Sequence, residues 1–149
     1  MKSINRVMKF LNRIDSNNSG GCGISALTMY LWLEKHEQFM AKILFCYEED
    51  AESRYTHNEC ILNNGKNENL LVPNHIVLVY KNNKIDSGGK LKFFKKIYKY
   101  NHEVDFNTLI DTINGKGWSD TFNRSNGKKI EKEIGFKLPI KKKLTTYMY

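Results

Sequence analysis

Apolar residues recur at Ile4, Val7, Met8, Leu11 and Ile14, a spacing that predicts an amphipathic helix over residues 3–14, with Ser3 at its cap and the basic residues on the other side. A core-facing stripe on a surface helix accounts for this pattern better than a membrane-surface helix. Asp15 to Gly21 is a run of turn formers and predicts a loop. From Cys22 to Leu33 nearly every residue is apolar, small or aromatic, and the run ends at Glu34, Lys35, His36 and Glu37. A helix apolar on all sides is a central, buried one.

Farther along, the period changes. Ala41 to Tyr47 reads as a strand, and so does His75 to Tyr80, the strongest strand pattern in the chain. Between them, Glu48 to Asn69 is polar and predicts a loop over a site, with a short strand from Leu70 to Val72 broken by Pro73 and Asn74. Lys81 to Lys84 predicts a hairpin turn, Ile85 to Ser87 the partner strand, and Gly88 and Gly89 its end. Leu91 to Tyr100 is basic and aromatic and predicts another strand or a pair of strands. Asp105 is placed to cap a helix from Phe106 to Asn114, closed by Gly115. A last short helix runs from Asn126 to Ile134, stopped by Gly135 and Pro139. The expected class is α+β: a central N-terminal helix on an antiparallel sheet, with extra short C-terminal helices.

The length, 149 residues, fits a single domain spanning 1–149 and suffices to bury a core. Lys2, Arg6, Lys9 and Arg13 interrupt any apolar run at the start, so no secretory signal is expected, and no stretch has the length of a membrane span. The expected setting is cytoplasmic, with no membrane partner. Three cysteines, Cys22, Cys46 and Cys60, leave at least one thiol outside any disulfide framework. The formal charge of +8, part of it in Lys141, Lys142 and Lys143, fits a solvated surface better than a nucleic-acid interface.

The position of Cys22 carries the first chemical signal. It stands where a glycine-rich loop turns into the central helix, and the unpaired N–H groups of a helix start favour a thiolate. Gly20, Gly21 and Gly23 leave bare backbone beside the sulfur, which suits close approach of a substrate chain better than it suits packing. His75 opens its strand and can project at the sheet rim. Asp86 lies on the next strand, but with a four-residue turn it falls opposite Val79 rather than close to His75. A bulge or a longer return strand is one way to bring the two together.

Cysteine at the start of a central helix, histidine at the start of a strand and aspartate on the following strand resemble, in that order, the papain-like cysteine peptidase superfamily. Gly21-Cys22-Gly23-Ile24-Ser25-Ala26-Leu27 looks like its nucleophile helix; His75-Ile76-Val77-Leu78-Val79-Tyr80 with Ile85-Asp86 looks like its histidine and acidic strands. The similarity covers roughly residues 16–90 and is nearest to small bacterial and phage members, such as double-glycine leader peptidases and cell-wall amidase relatives. It implies Cys22 as nucleophile, His75 as base, Asp86 as the group that orients the ring, and no metal or cofactor. The family's glutamine upstream of the cysteine is replaced here by Ser16. Asn17 and Asn18 carry the same amide on a shorter arm and, with Gly21 and Gly23, are the candidates for oxyanion and substrate binding. The implied substrate is a protein or peptide; the bare glycines around Cys22 suit one with small residues at the scissile bond, such as Gly-Gly.

Other readings stay open. His57 and Cys60 have the spacing of half a metal site that Cys22, Cys46 or His75 would complete. The stretch Lys90 to Tyr100 alternates bases and aromatics as a nucleic-acid platform does. A papain-like accessory protein of a virus or phage that binds without turnover would share the same residues.

Overall fold

The computed structural model describes residues 3–14, 22–49, 51–62, 73–115 and 124–140, with the backbone alone at several of them, Cys22 and Cys60 included. In chain order the elements are α1 (Ile4–Asn12), α2 (Cys22–Glu37), β1 (Lys42–Tyr47), α3 (Ala51–Leu62), β2 (His75–Tyr80), β3 (Asn83–Asp86), β4 (Gly89–Lys90), α4 (Phe94–Ile97), β5 (Tyr100–Val104), α5 (Phe106–Gly115) and α6 (Arg124–Ile134). The class is α+β, with one five-stranded antiparallel sheet of order β4-β3-β2-β1-β5.

Alternation along the strands sorts side chains into two layers. Ile43, Phe45, Ile76, Leu78 and Ile85 turn to the face covered by α2 and join the main core with Leu27, Met29 and Leu33. Leu44, Cys46 and Val77 turn to the other face and meet Phe94 of α4. Every residue of α2 from Gly23 to Tyr30 is buried, as a helix apolar all round requires. It packs between β2 on one side and α1 and α5 on others. Burying a side chain such as Leu27 contributes about 1.5–3 kcal/mol, so this helix anchors the fold.

Local chemistry explains most ends. Ser3 stands at the α1 N-cap, but its carbonyl, not its hydroxyl, receives the first helix N–H groups. Gln38 in the left-handed region ends α2 (φ 50°). The Asp105 carboxylate accepts the Thr108 N–H at 2.8 Å and caps α5. Gly135 (φ 84°) stops α6.

Three expectations need correction. Ala51–Leu62, expected as loop, is helix α3, whose Ser53 is buried and whose His57 meets Tyr47 and Tyr100 of the sheet. The stretch from Leu91 to Tyr100 is mostly not strand: it forms the single turn α4 and only then enters β5, because Phe94 and Tyr98 fold back onto the sheet at a ring separation of 5.6 Å. The hairpin turn is two residues, Lys81 and Asn82, both with positive φ, and Asn83 and Lys84 already belong to β3. The expected loop 15–21, the strand at 70–72 and the tail lysines 141–143 lie outside the described residues.

Candidate active site

The shortened turn decides the geometry. With Leu78 opposite Ile85 and Tyr80 opposite Asn83, continuing the register puts Asp86 opposite Val77, two places nearer the strand start than a four-residue turn would. His75 and Asp86 become diagonal neighbours on one face, a separation that long side chains span. The His75 Nε2 and the Asp86 Oδ2 lie 2.8 Å apart, both groups about one-fifth exposed.

Each partner is held from behind. The Gly88 N–H donates to Asp86 Oδ1 at 2.8 Å, so both carboxylate oxygens are engaged. Glycine at 88 keeps this turn close: a Cβ there would sit 3.2 Å from Oδ1. Gly89, with φ 107°, takes a conformation that other residues rarely adopt. The Tyr98 ring stacks on the His75 imidazole, 5.6 Å between centroids and 16° between planes. The start of β2 is pinned by Asn74, whose N–H donates to the Cys46 carbonyl (3.0 Å) and whose Oδ1 accepts the Glu48 N–H (2.9 Å). Since Nε2 faces Asp86, the imidazole presents its Nδ1 edge away from the carboxylate.

A cleft of about 160 Å³ adjoins the pair. Besides the pair it is lined by Ser25, Ala26 and Met29 of α2, Asn12 of α1, Ile76 and Ile85 of the sheet, and Ser87 and Gly88 of the following turn. Position 22 lies three, four and seven residues before Ser25, Ala26 and Met29, which is the spacing of a single helix face. Ser25, Ala26 and Met29 of α2 line one cleft with His75 and Asp86, while strand alternation turns the His75 and Asp86 side chains to the face of Cys46, Val77 and Tyr98. The Cys22 side chain, Asn17, Asn18 and Gly21 lie outside the described residues; Gly23 is buried at the first turn of α2.

Cys46 is also near His75: the two are opposite each other on β1 and β2. Its thiol is fully buried and points at the Leu44 carbonyl, 3.7 Å away. A substrate does not reach it.

Of the half metal site read from His57 and Cys60, the Cys60 side chain lies outside the described residues. His57 sits in an aromatic group, with ring centroids 5.1 Å from Tyr47, 5.4 Å from Tyr100 and 5.5 Å from His102. His102 is hydrogen-bonded through Nε2 to the Tyr47 hydroxyl at 2.8 Å. Burial, with the charge of His57 second, lowers the His102 pKa to about 4; burial lowers that of His57 as well. Among the described residues no group of three or more His, Cys, Asp or Glu side chains could hold a metal ion.

The basic aromatic stretch is largely spent on the fold. Phe94 is buried and Tyr98 covers His75, which leaves Phe93 as the outward ring. No described helix is long and apolar enough to cross a membrane. Tyr98, Asn74 and Ser25 are invisible as site residues in the sequence, because their roles depend on contacts between elements that no local pattern encodes. Comparison with family models, with curated proteins and with solved structures gave no match.

Proposed function

We propose that this chain is a papain-like cysteine hydrolase, a single domain acting on the amide bonds of peptide or protein substrates in the cytoplasm. One observation carries the reading: a His–Asp pair at 2.8 Å, tethered on both carboxylate oxygens, that lines one cleft with the first turns of the helix that begins at Cys22. Chain order, helix start and pairing are the features of the resemblance; the rim hydrogen bond supports it independently of any motif.

In this reading His75 takes the Cys22 thiol proton, and Asp86 stabilises the imidazolium and fixes the ring. The sulfur bonds to the acyl carbon, and the carbonyl electrons move to oxygen as an oxyanion. That charge is met by the first N–H groups of α2, with Asn17 or Asn18 as the candidate side-chain donor. Collapse of the intermediate breaks the C–N bond, and the imidazolium gives its proton to the leaving amine. Water, deprotonated by His75, then attacks the thioester, releasing the acid and restoring the thiol. Glycines at 20, 21 and 23 suit a substrate that is narrow at the scissile bond, such as Gly-Gly.

The test is alkylation by low-dose iodoacetamide at neutral pH, read residue by residue by mass spectrometry, with a peptide and isopeptide panel beside it. Selective modification of Cys22 over Cys46 and Cys60, lost in His75→Ala, together with cleavage of a glycine-containing substrate, is the expected result. Equal slow labelling of all three thiols would remove the hydrolase reading. Selective labelling without cleavage of any substrate would favour a binding protein on the same scaffold.

A further inference from the structure

A chain of ring contacts ties the His75–Asp86 pair to the short helix beside it. Strand alternation puts His75 and Val77 of β2, and Lys84 and Asp86 of β3, on the sheet face that α4 covers. On that face the Tyr98 ring stacks on His75, and the Phe94 ring lies 5.6 Å from that of Tyr98. The Lys84 ammonium lies 4.9 Å from the centre of the Phe94 ring. It is therefore within about five residues of extended chain from His75, at ~3.4 Å for each. The charge around α4 is one-sided. Lys84, Lys92, Lys95 and Lys96 have no carboxylate partner among the described residues. The nearby carboxylates are engaged: Asp86 by His75 and Gly88, Glu48 by Asn74, and Glu49 by Lys99. Phe93 and Ile97, one helical turn apart, are 62% and 49% exposed, and the Lys96 ammonium lies 5.7 Å from the centre of the Phe93 ring.

Such a surface fits an anionic partner, and its contacts select among the kinds. A stack of nucleic-acid bases needs open ring faces. Here Phe94 is buried, Tyr98 carries His75, and Phe93 has an ammonium over it. A bilayer meets side chains that stand proud of the surface. Lys84 is half-buried between β3 and α4, where the side chain of a peptide reaches it. A peptide with carboxylates and an apolar residue answers both features: charge for the lysines, hydrocarbon for Phe93 and Ile97.

We propose that α4 and Lys84 form the binding surface for an acidic segment of the protein substrate, a few residues from the bond that Cys22 attacks. Its carboxylates meet Lys84 and Lys96, and an apolar side chain of the same segment rests on Phe93 and Ile97. This deepens the hydrolase reading and rests on it: glycine stays at the scissile bond, and the segment on α4 supplies the affinity that glycine lacks. Complementary charge also speeds encounter and makes the binding sensitive to salt.

The experiment measures binding to the full chain by fluorescence anisotropy, with iodoacetamide labelling of Cys22 measured separately. The probes are fluorescein-labelled peptides that carry Glu-Glu-Leu-Glu before or after Gly-Gly, their Gln-Gln-Leu-Gln counterparts, and an oligothymidylate. Sedimentation with phosphatidylserine vesicles is a further arm. At low salt one acidic peptide is expected to bind about tenfold tighter than its glutamine counterpart. In the Lys84→Gln/Lys96→Gln double variant that ratio should fall to about twofold, as the loss of two exposed charge pairs allows. Phe93→Ser should weaken both peptides about threefold and leave their ratio alone. A ratio near one in the wild type, a ratio that the lysine substitutions leave unchanged, or binding indifferent to Phe93→Ser would overturn the assignment even if Cys22 labels selectively. Tighter binding of the oligothymidylate or of the vesicles than of either acidic peptide would overturn it in favour of nucleic acid or membrane. A ratio lost with the two lysines alongside unselective labelling would keep the acidic-peptide surface and remove the hydrolase.

Discussion

Two histidines of this protein stand on the same sheet and live in opposite environments. His75 lies at the rim, one-fifth exposed, with a carboxylate at 2.8 Å and a tyrosine ring over its face. His102 lies on β5 within a ring cluster of Phe45, Tyr47 and His57, and its hydrogen-bond partner is a phenol. Burial keeps the second ring neutral and lowers its pKa to about 4. The first ring has a carboxylate as its partner and an edge at the surface, the setting a proton acceptor needs. The lesson is that access and partner, not residue type, separate the ring suited to chemistry from the ring that fills space.

Substitutions should separate the two sites in order of effect. His75→Ala should lower the alkylation rate of Cys22 at pH 6 by about 100-fold, because an unassisted thiol near ~8.5 is almost wholly protonated there. His102→Phe should leave that rate within about twofold, and if both substitutions slow Cys22 alike, the contrast between the rings is lost. Asp86→Asn keeps the shape of the pair and removes its charge; a drop of about tenfold or more in the same assay is expected.

The pH dependence of stability belongs to the other histidine. The folded chain holds His102 and His57 neutral at pH values where the unfolded chain would protonate them, so the unfolded state binds more protons. Stability from His102 is full above about pH 6.5 and falls as the pH drops toward about 4. The loss is on the order of 2 kcal/mol, the full shift being discounted for the solvent that still reaches the ring. Thermal melts from pH 7 to pH 4 should show a falling Tm, and His102→Phe should flatten that slope; an unchanged slope would mean other groups set it. Gly88→Ala is a finer probe of the rim. It should crowd Asp86 and slow Cys22 labelling by a few-fold while the melts hardly move. The smallest effect is expected from Tyr98→Leu, which removes the ring over His75 and should change labelling about twofold to threefold.

Much of this was readable along the chain, and the misses have physical causes. The central helix, the His75 strand and the Asp105 cap are written in local pattern, since burial on all sides, β-branched runs and a carboxylate before a helix leave signatures a few residues long. The closeness of His75 and Asp86 is not, because it depends on two residues of turn. Lysine and asparagine at 81 and 82 both adopt positive φ, and lysine gives little warning of that. Helix α3 was hidden because its polar sequence lacks a clear stripe; among its described side chains, His57 meets the sheet through ring contacts with Tyr47 and Tyr100.

The most direct measurement is the rate of Cys22 alkylation as a function of pH, in the wild type and in His75→Ala. A thiolate formed at the tip of α2 against the His75–Asp86 pair predicts a midpoint at least one unit below the free-thiol value of about 8.5, moving up toward it when the imidazole is removed. Two superimposed curves, both with midpoints near 8.5, would contradict any partnership between the sulfur at 22 and the ring at 75.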